Sequence, residues 1–225
     1  MMRNWFIPIA SKGAAPGCAA VLALALSAQA APPQRVEIAY EVARNGTAVA
    51  EVTGRLEHDG RRYRLEESWK GKGMYALRGD ARRASRGAVA ADGLHPAEFE
   101  DHRPGRDPRR VAFDPGTAAS ALRQQDRLSF IWNFAFAPPR AESVVNVADG
   151  RRVTTYVYRT AGRERIRVPA GEFDALKLVK KKEHPEDRGA ELWLAADRSY
   201  LPVRILVTER DGTRLDQVAV RIRAP

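Results

Sequence analysis

Apolar and polar residues alternate along the chain from residue 34 onward, and short turn signals separate the alternating stretches. Apolar side chains occupy every second position from Val36 to Val42, which is typical of a half-buried β-strand. Asn45-Gly46 follows, and both residues tolerate the positive φ angles of a type I′ turn. The pattern predicts an antiparallel meander, in which a return strand over 47–58 leads through Asp59-Gly60 to a third strand over 61–69.

Alternating stretches separated by turn signals continue almost to the end of the chain. A long strand with a glycine break at Gly79 is predicted over 74–86, and a turn is predicted at Ala161-Gly162. Pro202 cannot donate to a ladder, so it should begin its strand or lie at an edge. Further strands are predicted over 97–102, 109–114, 143–148, 152–160, 163–168, 173–182, 190–194, 201–210 and 215–222. Without a long repeat or a linker, 31–225 are expected to form a single antiparallel domain of eleven to thirteen strands.

One stretch departs from this pattern. Residues 124–136, QQDRLSFIWNFAF, are called the aromatic segment below, and their spacing favours a helix embedded near 117–136. Thr117 or Ser120 could cap it, and Asp126, which stands three residues before Ser129, is an alternative cap. A helix that is apolar nearly all round is buried. The predicted fold is therefore all-β and mainly antiparallel, with a curved sheet or partly open barrel wrapped around one apolar helix.

The first thirty residues have the organisation of a secretory signal peptide. Basic residues precede an apolar run from Cys18 to Leu26, and Ala28-Gln29-Ala30 is a small-residue cleavage signal, so cleavage is expected after Ala30. A lipid anchor on Cys18 is disfavoured because the better apolar run follows that cysteine. No later stretch reaches the ~20 apolar residues of a spanning helix, so a soluble mature protein without a membrane span is expected.

The charge pattern leaves two interpretations open. The formal net charge is +10, which permits an anionic partner, but only seven of the 38 basic residues are lysine, and arginine richness can reflect genome composition. Nucleic acid is a poor candidate behind a signal peptide. Lys177, Lys180 and Lys182 lie in one predicted strand together with Lys181. They either protect a sheet edge against aggregation or form a cationic rim for the phosphate groups of envelope lipids.

Short motifs spread over 36–222 resemble the exported bacterial proteins of the domain of unknown function 3108 family. They are Tyr40-Glu41-Val42, Gly93-Leu94-His95-Pro96, Asp126-Arg127-Leu128-Ser129, Pro169-Ala170-Gly171-Glu172-Phe173-Asp174-Ala175, Leu192-Trp193-Leu194 and Tyr200-Leu201-Pro202-Val203. The signal peptide indicates a periplasmic location, and the resemblance implies a curved sheet or partly open barrel about a helix, similar in outline to periplasmic lipoprotein carriers and lipocalin-like proteins. It implies no activity and no catalytic residues.

The sequence offers little support for catalysis. His95 and His102 bracket several acidic residues and could build a metal site, but a solvated hairpin is the favoured explanation. The chain has no nucleophile elbow and no phosphate-binding loop, and removal of residues 1–30 would leave no thiol. No catalytic residue, metal or cofactor is predicted, and a hydrolytic enzyme is the minority hypothesis.

The aromatic segment carries the main functional hypothesis. Its side chains either fill a permanent core or line an apolar groove that takes a lipid, an acyl chain or an envelope protein. The predicted groove residues are Leu128, Ile131, Trp132, Phe134, Phe136 and Trp69. The favoured function is a periplasmic binder, carrier or chaperone for an apolar envelope component such as lipid or lipoprotein. A structural or assembly protein with a closed core is the alternative, and an apolar cavity beside Trp132 would favour the binder.

Overall fold

The computed structural model describes residues 32–113 and 124–224. The predicted signal peptide, the candidate caps Thr117 and Ser120, and the first part of the predicted helix lie outside these ranges. Within them the chain is almost entirely strand. The strands are β1 Arg35–Arg44, β2 Thr47–His58, β3 Arg62–Gly71, β4 Ala81–Ala90, β5 Gly93–His102, β6 Arg109–Ala112, β7 Gln124–Gln125, β8 Glu142–Ala148, β9 Val153–Val168, β10 Gly171–Lys180, β11 Gly189–Ala195, β12 Leu201–Thr208 and β13 Arg214–Arg223.

All the strands of the described residues belong to one 13-stranded sheet, in the order β6-β5-β4-β3-β2-β1-β13-β12-β11-β10-β9-β8-β7. Two meanders, β1 to β6 and β8 to β13, are joined where the first strand pairs with the last. Every pairing is antiparallel except the short parallel contact between β7 and β8. The all-β, mainly antiparallel prediction is confirmed. The sheet is not closed into a barrel, because β6 and β7 remain as separate edges.

The first hairpin has the predicted turn. Asn45 and Gly46 take φ angles of 49° and 86°, as a type I′ turn requires. The same turn also anchors the last strand: the Asn45 N–H donates to the Arg214 carbonyl over 2.9 Å, and the Arg214 N–H donates to Asn45 Oδ1 over 2.8 Å. Pro202 lies near the start of β12, before its pairing with β13 begins, as its missing N–H demands.

Two strand predictions were wrong in detail. The stretch 74–86 is not one strand, because a 3₁₀ helix over Gly73–Arg78 precedes β4. Gly73 begins this helix and Gly79 follows it, with positive φ angles of 55° and 74° that extended strands do not accommodate. The turn predicted at Ala161-Gly162 is a bulge within the continuous strand β9, since the register against β10 shifts there by one residue.

The predicted helix is much shorter than expected. Within the described residues it consists of α1, Ser129–Trp132, and a 3₁₀ turn over Asn133–Ala135, while Gln124–Gln125 is a strand. The Asp126 carboxylate accepts from the backbone N–H of Ser129, so the turn starts only there. Pro138-Pro139 prevents continuation on the other side. Within residues 124–136, a single helical turn therefore stands where a longer helix was predicted, and the sheet, which was predicted to be curved or a partly open barrel, is open.

The core has two parts, and the aromatic segment contributes to both. Leu128 and Trp132 belong to a large cluster with side chains of β1 to β5, β12 and β13. Phe134 belongs to a second cluster formed by β9, β10 and β11. The segment therefore packs against both meanders.

Candidate functional site

An apolar cavity of about 500 Å³ lies beside the aromatic segment. The segment contributes Leu128, Phe130, Ile131 and Trp132 to its wall. The opposite wall comes from alternate residues of the sheet, which therefore share one face. Those used below are Tyr40, Trp69, Tyr156, Tyr158, Ala190 and Leu192. Aromatic rings from three separate strands, β1, β3 and β9, thus converge on one space.

A buried polar chain holds the aromatic segment against β3 and β4. The Ser85 hydroxyl donates to Asp126 Oδ2 over 2.6 Å, and Tyr63 Oη lies 2.9 Å from Ser85 Oγ. Asp126 Oδ1 also accepts from the backbone N–H of Leu128 and Ser129, at 2.8 and 2.7 Å. Ser129 Oγ returns the contact by accepting from the Asp126 N–H over 3.0 Å. The predicted cap at Asp126 and Ser129 is therefore confirmed as a reciprocal capping box.

Burial raises the pKa of the Asp126 carboxyl, because the side chain is 0% exposed and its ionised form is poorly solvated. Hydrogen bonds from Ser85 and from two backbone amides oppose this rise without cancelling it. Ser85 is also 0% exposed. These groups therefore position the segment, and none of them faces the cavity.

A second anchor fixes the segment to the start of β5. Asn133 Oδ1 accepts from the Leu94 N–H over 2.6 Å, and Gln125 Nε2 donates to the Leu94 carbonyl over 2.7 Å. A Cβ on Gly93 would lie 2.3 Å from Asn133 Oδ1, and Gly93 has a φ of 119°. Only glycine satisfies both conditions at this position, which explains physically why a glycine starts the Gly93-Leu94 motif.

The structure brings four of the six predicted groove residues together. Leu128, Ile131, Trp132 and Trp69 line the cavity. Phe134 instead fills the second core cluster. Phe136 packs edge-on against the His58 ring, with 5.0 Å between ring centroids. Neither phenylalanine contributes to the cavity wall.

Trp132 has two roles in this arrangement. Its side chain is only 3% exposed, and a Cβ added to Gly54 of β2 would lie 3.0 Å from its Cζ2 atom. One part of the indole is therefore tightly packed on the sheet, while another part borders the cavity. The two interpretations of the segment, core and groove wall, apply to different parts of the same side chain.

Sequence reasoning missed an aromatic cluster on the cavity wall. Phe130 stacks on Tyr158 with 6.2 Å between ring centroids, and Tyr156 lies 6.5 Å from Phe130. Burial raises the pKa of the Tyr158 hydroxyl. Tyr156 and Tyr158 are two residues apart on one strand. This spacing places both on one face, a signal that was available in the sequence.

The cavity rim is mostly cationic. Of the residues that the structure describes, Arg83, Arg127, Lys180 and Arg188 reach it, against the single carboxylate of Glu67. Arg83 Nη1 lies 2.8 Å from Glu67 Oε2, and Trp69 Nε1 donates to the same oxygen over 2.6 Å. Arg127 and Arg188 form ion pairs with Asp149 and Glu209, at 2.9 and 3.0 Å.

The three lysines predicted to contact an anionic surface occupy different environments. Lys180 alone lines the cavity. Lys177 lies 2.6 Å from Glu191 and 4.7 Å above the Trp193 ring, while Lys182 donates to the Pro185 carbonyl over 3.0 Å. The interpretation of these lysines as edge-strand protection was wrong, because β10 lies between β9 and β11 inside the sheet.

The histidines and acidic residues of β5 are engaged separately. His95 Nε2 lies 2.9 Å from Asp92 Oδ1, and His102 Nε2 lies 3.3 Å from Glu100 Oε2. Asp101 is bound by Arg83 and Arg103. Among residues 32–113 and 124–224, no cluster of three His, Cys, Asp or Glu side chains could hold a metal ion. None of the helices in these ranges is long and apolar enough to cross a membrane.

Fold and cavity together define an open antiparallel sheet protein with an apolar internal space. A crystal structure of a β-barrel-like protein of the domain of unknown function DUF1849, from Brucella abortus, has this fold with a TM-score of 0.53. The match has 5% sequence identity and covers 86% of this chain and 99% of that chain. Residues 114–218 match the family model described as "Protein of unknown function (DUF3108)". This match confirms the resemblance to that family over residues 114–218; the first two sequence motifs lie before the matched stretch.

Two further solved structures are more distant. An exported protein with a YmcC-like fold from Bacteroides fragilis has a TM-score of 0.43 at 10% identity, over 86% of this chain and 100% of that one. A chain of the Pseudomonas aeruginosa MucA/MucB complex has a TM-score of 0.36 at 18% identity, and the match covers 86% of this chain and 54% of that one. The comparison with curated proteins gives no match.

Proposed function

We propose that this protein is a non-enzymatic periplasmic binder or carrier for an apolar envelope component, and that a lipid or lipoprotein acyl chain occupies the cavity. The observation that carries the proposal is the 500 Å³ apolar cavity beside Trp132. Binding sites for small molecules usually have volumes of roughly 300–1,000 Å³ and apolar walls with a few polar groups. The predicted signal peptide supports the periplasmic location, since residues 1–30 have the required order of segments.

The position of the cavity supports an apolar ligand that is held inside the sheet. Its wall comes from both meanders and from the aromatic segment, so a bound chain would be surrounded by side chains on several sides. Curvature of the open sheet about this space would serve the same purpose as the lumen of a small lipid-binding barrel. The capping box and the Asn133 anchor hold the segment in place, which favours a preformed site over a movable lid.

The competing function is a structural or assembly role with a closed core. The tight contact between Trp132 and Gly54 favours it, because that part of the segment is packed without free space. The two functions differ in what should happen when the cavity is filled by a side chain. When the cavity is filled, a binder no longer binds its ligand, whereas a structural protein keeps its function.

Ala190 of β11 provides this test, because it lines the cavity and has a small side chain. We expect Ala190→Phe to abolish binding of a fluorescent long-chain fatty acid while the free energy of unfolding changes by less than ~1.5 kcal/mol, because the added ring enters existing space. Ala190→Ser, which preserves the side-chain volume, is the matched control and should bind like the wild type. Absence of binding by the wild type, or equal binding by the phenylalanine variant, would contradict the proposal.

A further inference from the structure

The charged residues around the cavity differ in whether a carboxylate neutralises them. Each of the three arginines has a guanidinium nitrogen within 3.0 Å of a carboxylate oxygen. Lys180 differs, because no carboxylate of the described residues lies within ion-pair distance of its Nζ atom. Among the described residues of the rim, this ammonium group is therefore the one cation whose charge is not directly balanced.

Lys180 is held in a defined place. Its Nζ donates to the Arg188 carbonyl over 3.0 Å and lies 4.9 Å above the Tyr156 ring. An ammonium group has three N–H donors, so this single hydrogen bond leaves donors for another acceptor. Partial burial lowers the pKa of Lys180, because the charged form loses part of its hydration. An anion at this point would restore the lost stabilisation of the charge.

The Tyr156 ring connects this charge to the apolar space. Tyr156 lines the cavity and also lies 6.5 Å from Phe130, so one of its neighbours is a cation and the other is part of the apolar wall. The Tyr156 side chain therefore contacts the apolar wall of the cavity on one side and the Lys180 ammonium group on the other. A ligand that satisfies both must be an amphiphile with a negative group at one end.

We propose that Lys180 Nζ binds the anionic head group, a carboxylate or phosphate, of an amphiphile whose apolar chain fills the cavity. The proposal rests on the proposed function and adds the chemical class of the ligand. Arg188 contributes its backbone carbonyl, which holds the ammonium group, while its side chain is paired with Glu209. Lys177 is excluded from this role because Glu191 already neutralises it and because it does not line the cavity.

The test compares ligands that share one chain and differ in the head group. Palmitate, hexadecyl phosphate and the neutral hexadecanol are titrated against the wild type by displacement of a fluorescent fatty acid, with inorganic phosphate as the chainless control. We expect the two anionic amphiphiles to bind about tenfold more tightly than hexadecanol, as one charge-assisted hydrogen bond in a partly buried site allows. Inorganic phosphate alone should not displace the probe, since it cannot enter the apolar space.

Lys180→Met keeps the aliphatic stem and removes the charge, so it should abolish the tenfold preference and leave hexadecanol binding unchanged. Lys180→Arg should retain the preference, and Lys177→Met is the matched control that should behave like the wild type. Equal affinities of wild type for palmitate and hexadecanol would overturn the head-group proposal while the proposed function stands. Failure of every chain-bearing ligand to bind would instead refute the proposed function itself. Loss of the preference in Lys177→Met as well would show that the effect is not specific to Lys180.

Discussion

Replacement of Trp132 by alanine separates packing from ligand binding when it is compared with replacement of a second tryptophan. Trp132 and Trp193 are 3% and 4% exposed, so both are buried to the same degree. Trp132 lines the cavity. Trp193 faces the other side of the sheet from Leu192, where Lys177 and Arg204 each lie 4.7 Å from its ring centre. The pair is therefore matched in burial and differs in contact with the proposed ligand.

The magnitude of the stability loss follows from the buried area. A buried aromatic side chain removes roughly 150–250 Å² from water, and at roughly 25 cal/mol per Å² this corresponds to about 4–6 kcal/mol. Alanine retains part of that area, and compact denatured states bury some of it, so the expected loss falls to about 3–5 kcal/mol. For Trp132 the lower part of this range is expected, because one part of the indole already borders open space.

The assay is denaturant unfolding with and without palmitate, combined with a palmitate titration. We expect both variants to lose about 3 kcal/mol or more of the free energy of unfolding. Palmitate should raise the midpoint of the wild type and of Trp193→Ala through linkage, but should have a much smaller effect on Trp132→Ala. The reasoning is refuted if Trp132→Ala loses less than ~1 kcal/mol, because the side chain would then not be core. Equal palmitate effects on the two variants would refute its role as a cavity wall.

Two variants test the electrostatics, and a third prediction concerns export. Burial raises the pKa of the Asp126 carboxyl. The stability that this carboxyl contributes is therefore fully present below its pKa in the unfolded chain and is lost as the pH rises through its pKa in the folded protein. Asp126→Asn should accordingly gain stability relative to the wild type as the pH increases. The Arg151 and Arg152 amides and the Arg127 guanidinium lower the pKa of Asp149 to about 2, so Asp149→Asn should cost ~1 kcal/mol at pH 7 and progressively less as pH falls towards 2. Equilibrium unfolding over a pH series checks both variants. A stability difference from the wild type that changes with pH in the direction opposite to the expected one would contradict the assignment for that variant. N-terminal sequencing of the exported protein should begin at Ala31.

Alternation and turn chemistry made most of the sheet predictable. The period of two along β1 and the Asn45-Gly46 turn are local signals, and local signals identify hairpins well. The errors in strand boundaries arose at glycines, because a glycine can mark a turn between strands, the end of a 3₁₀ helix or a β-bulge. Gly79 ends a 3₁₀ helix and Gly162 belongs to a bulge, and in sequence both look like breaks between strands.

The cavity was harder to predict than the strands. The aromatic composition of residues 124–136 indicated an apolar site, and Asp126 was recognised as a cap. The distribution of individual rings depends on contacts across the sheet, however, and these placed Phe134 in the core and Tyr156 on the wall. The lysines of β10 were misinterpreted for a similar reason, because the position of a strand in the sheet order is a long-range property.

Native mass spectrometry after incubation with palmitic acid tests the central claim most directly, because it counts the ligands held by each folded molecule. One palmitate per wild-type chain is expected, together with none on Ala190→Phe, since the larger side chain occupies the space that the acyl chain needs. A wild-type spectrum that shows only the mass of the polypeptide without ligand would contradict the assignment of this cavity as the binding site. Binding of one palmitate to both proteins would contradict it as well.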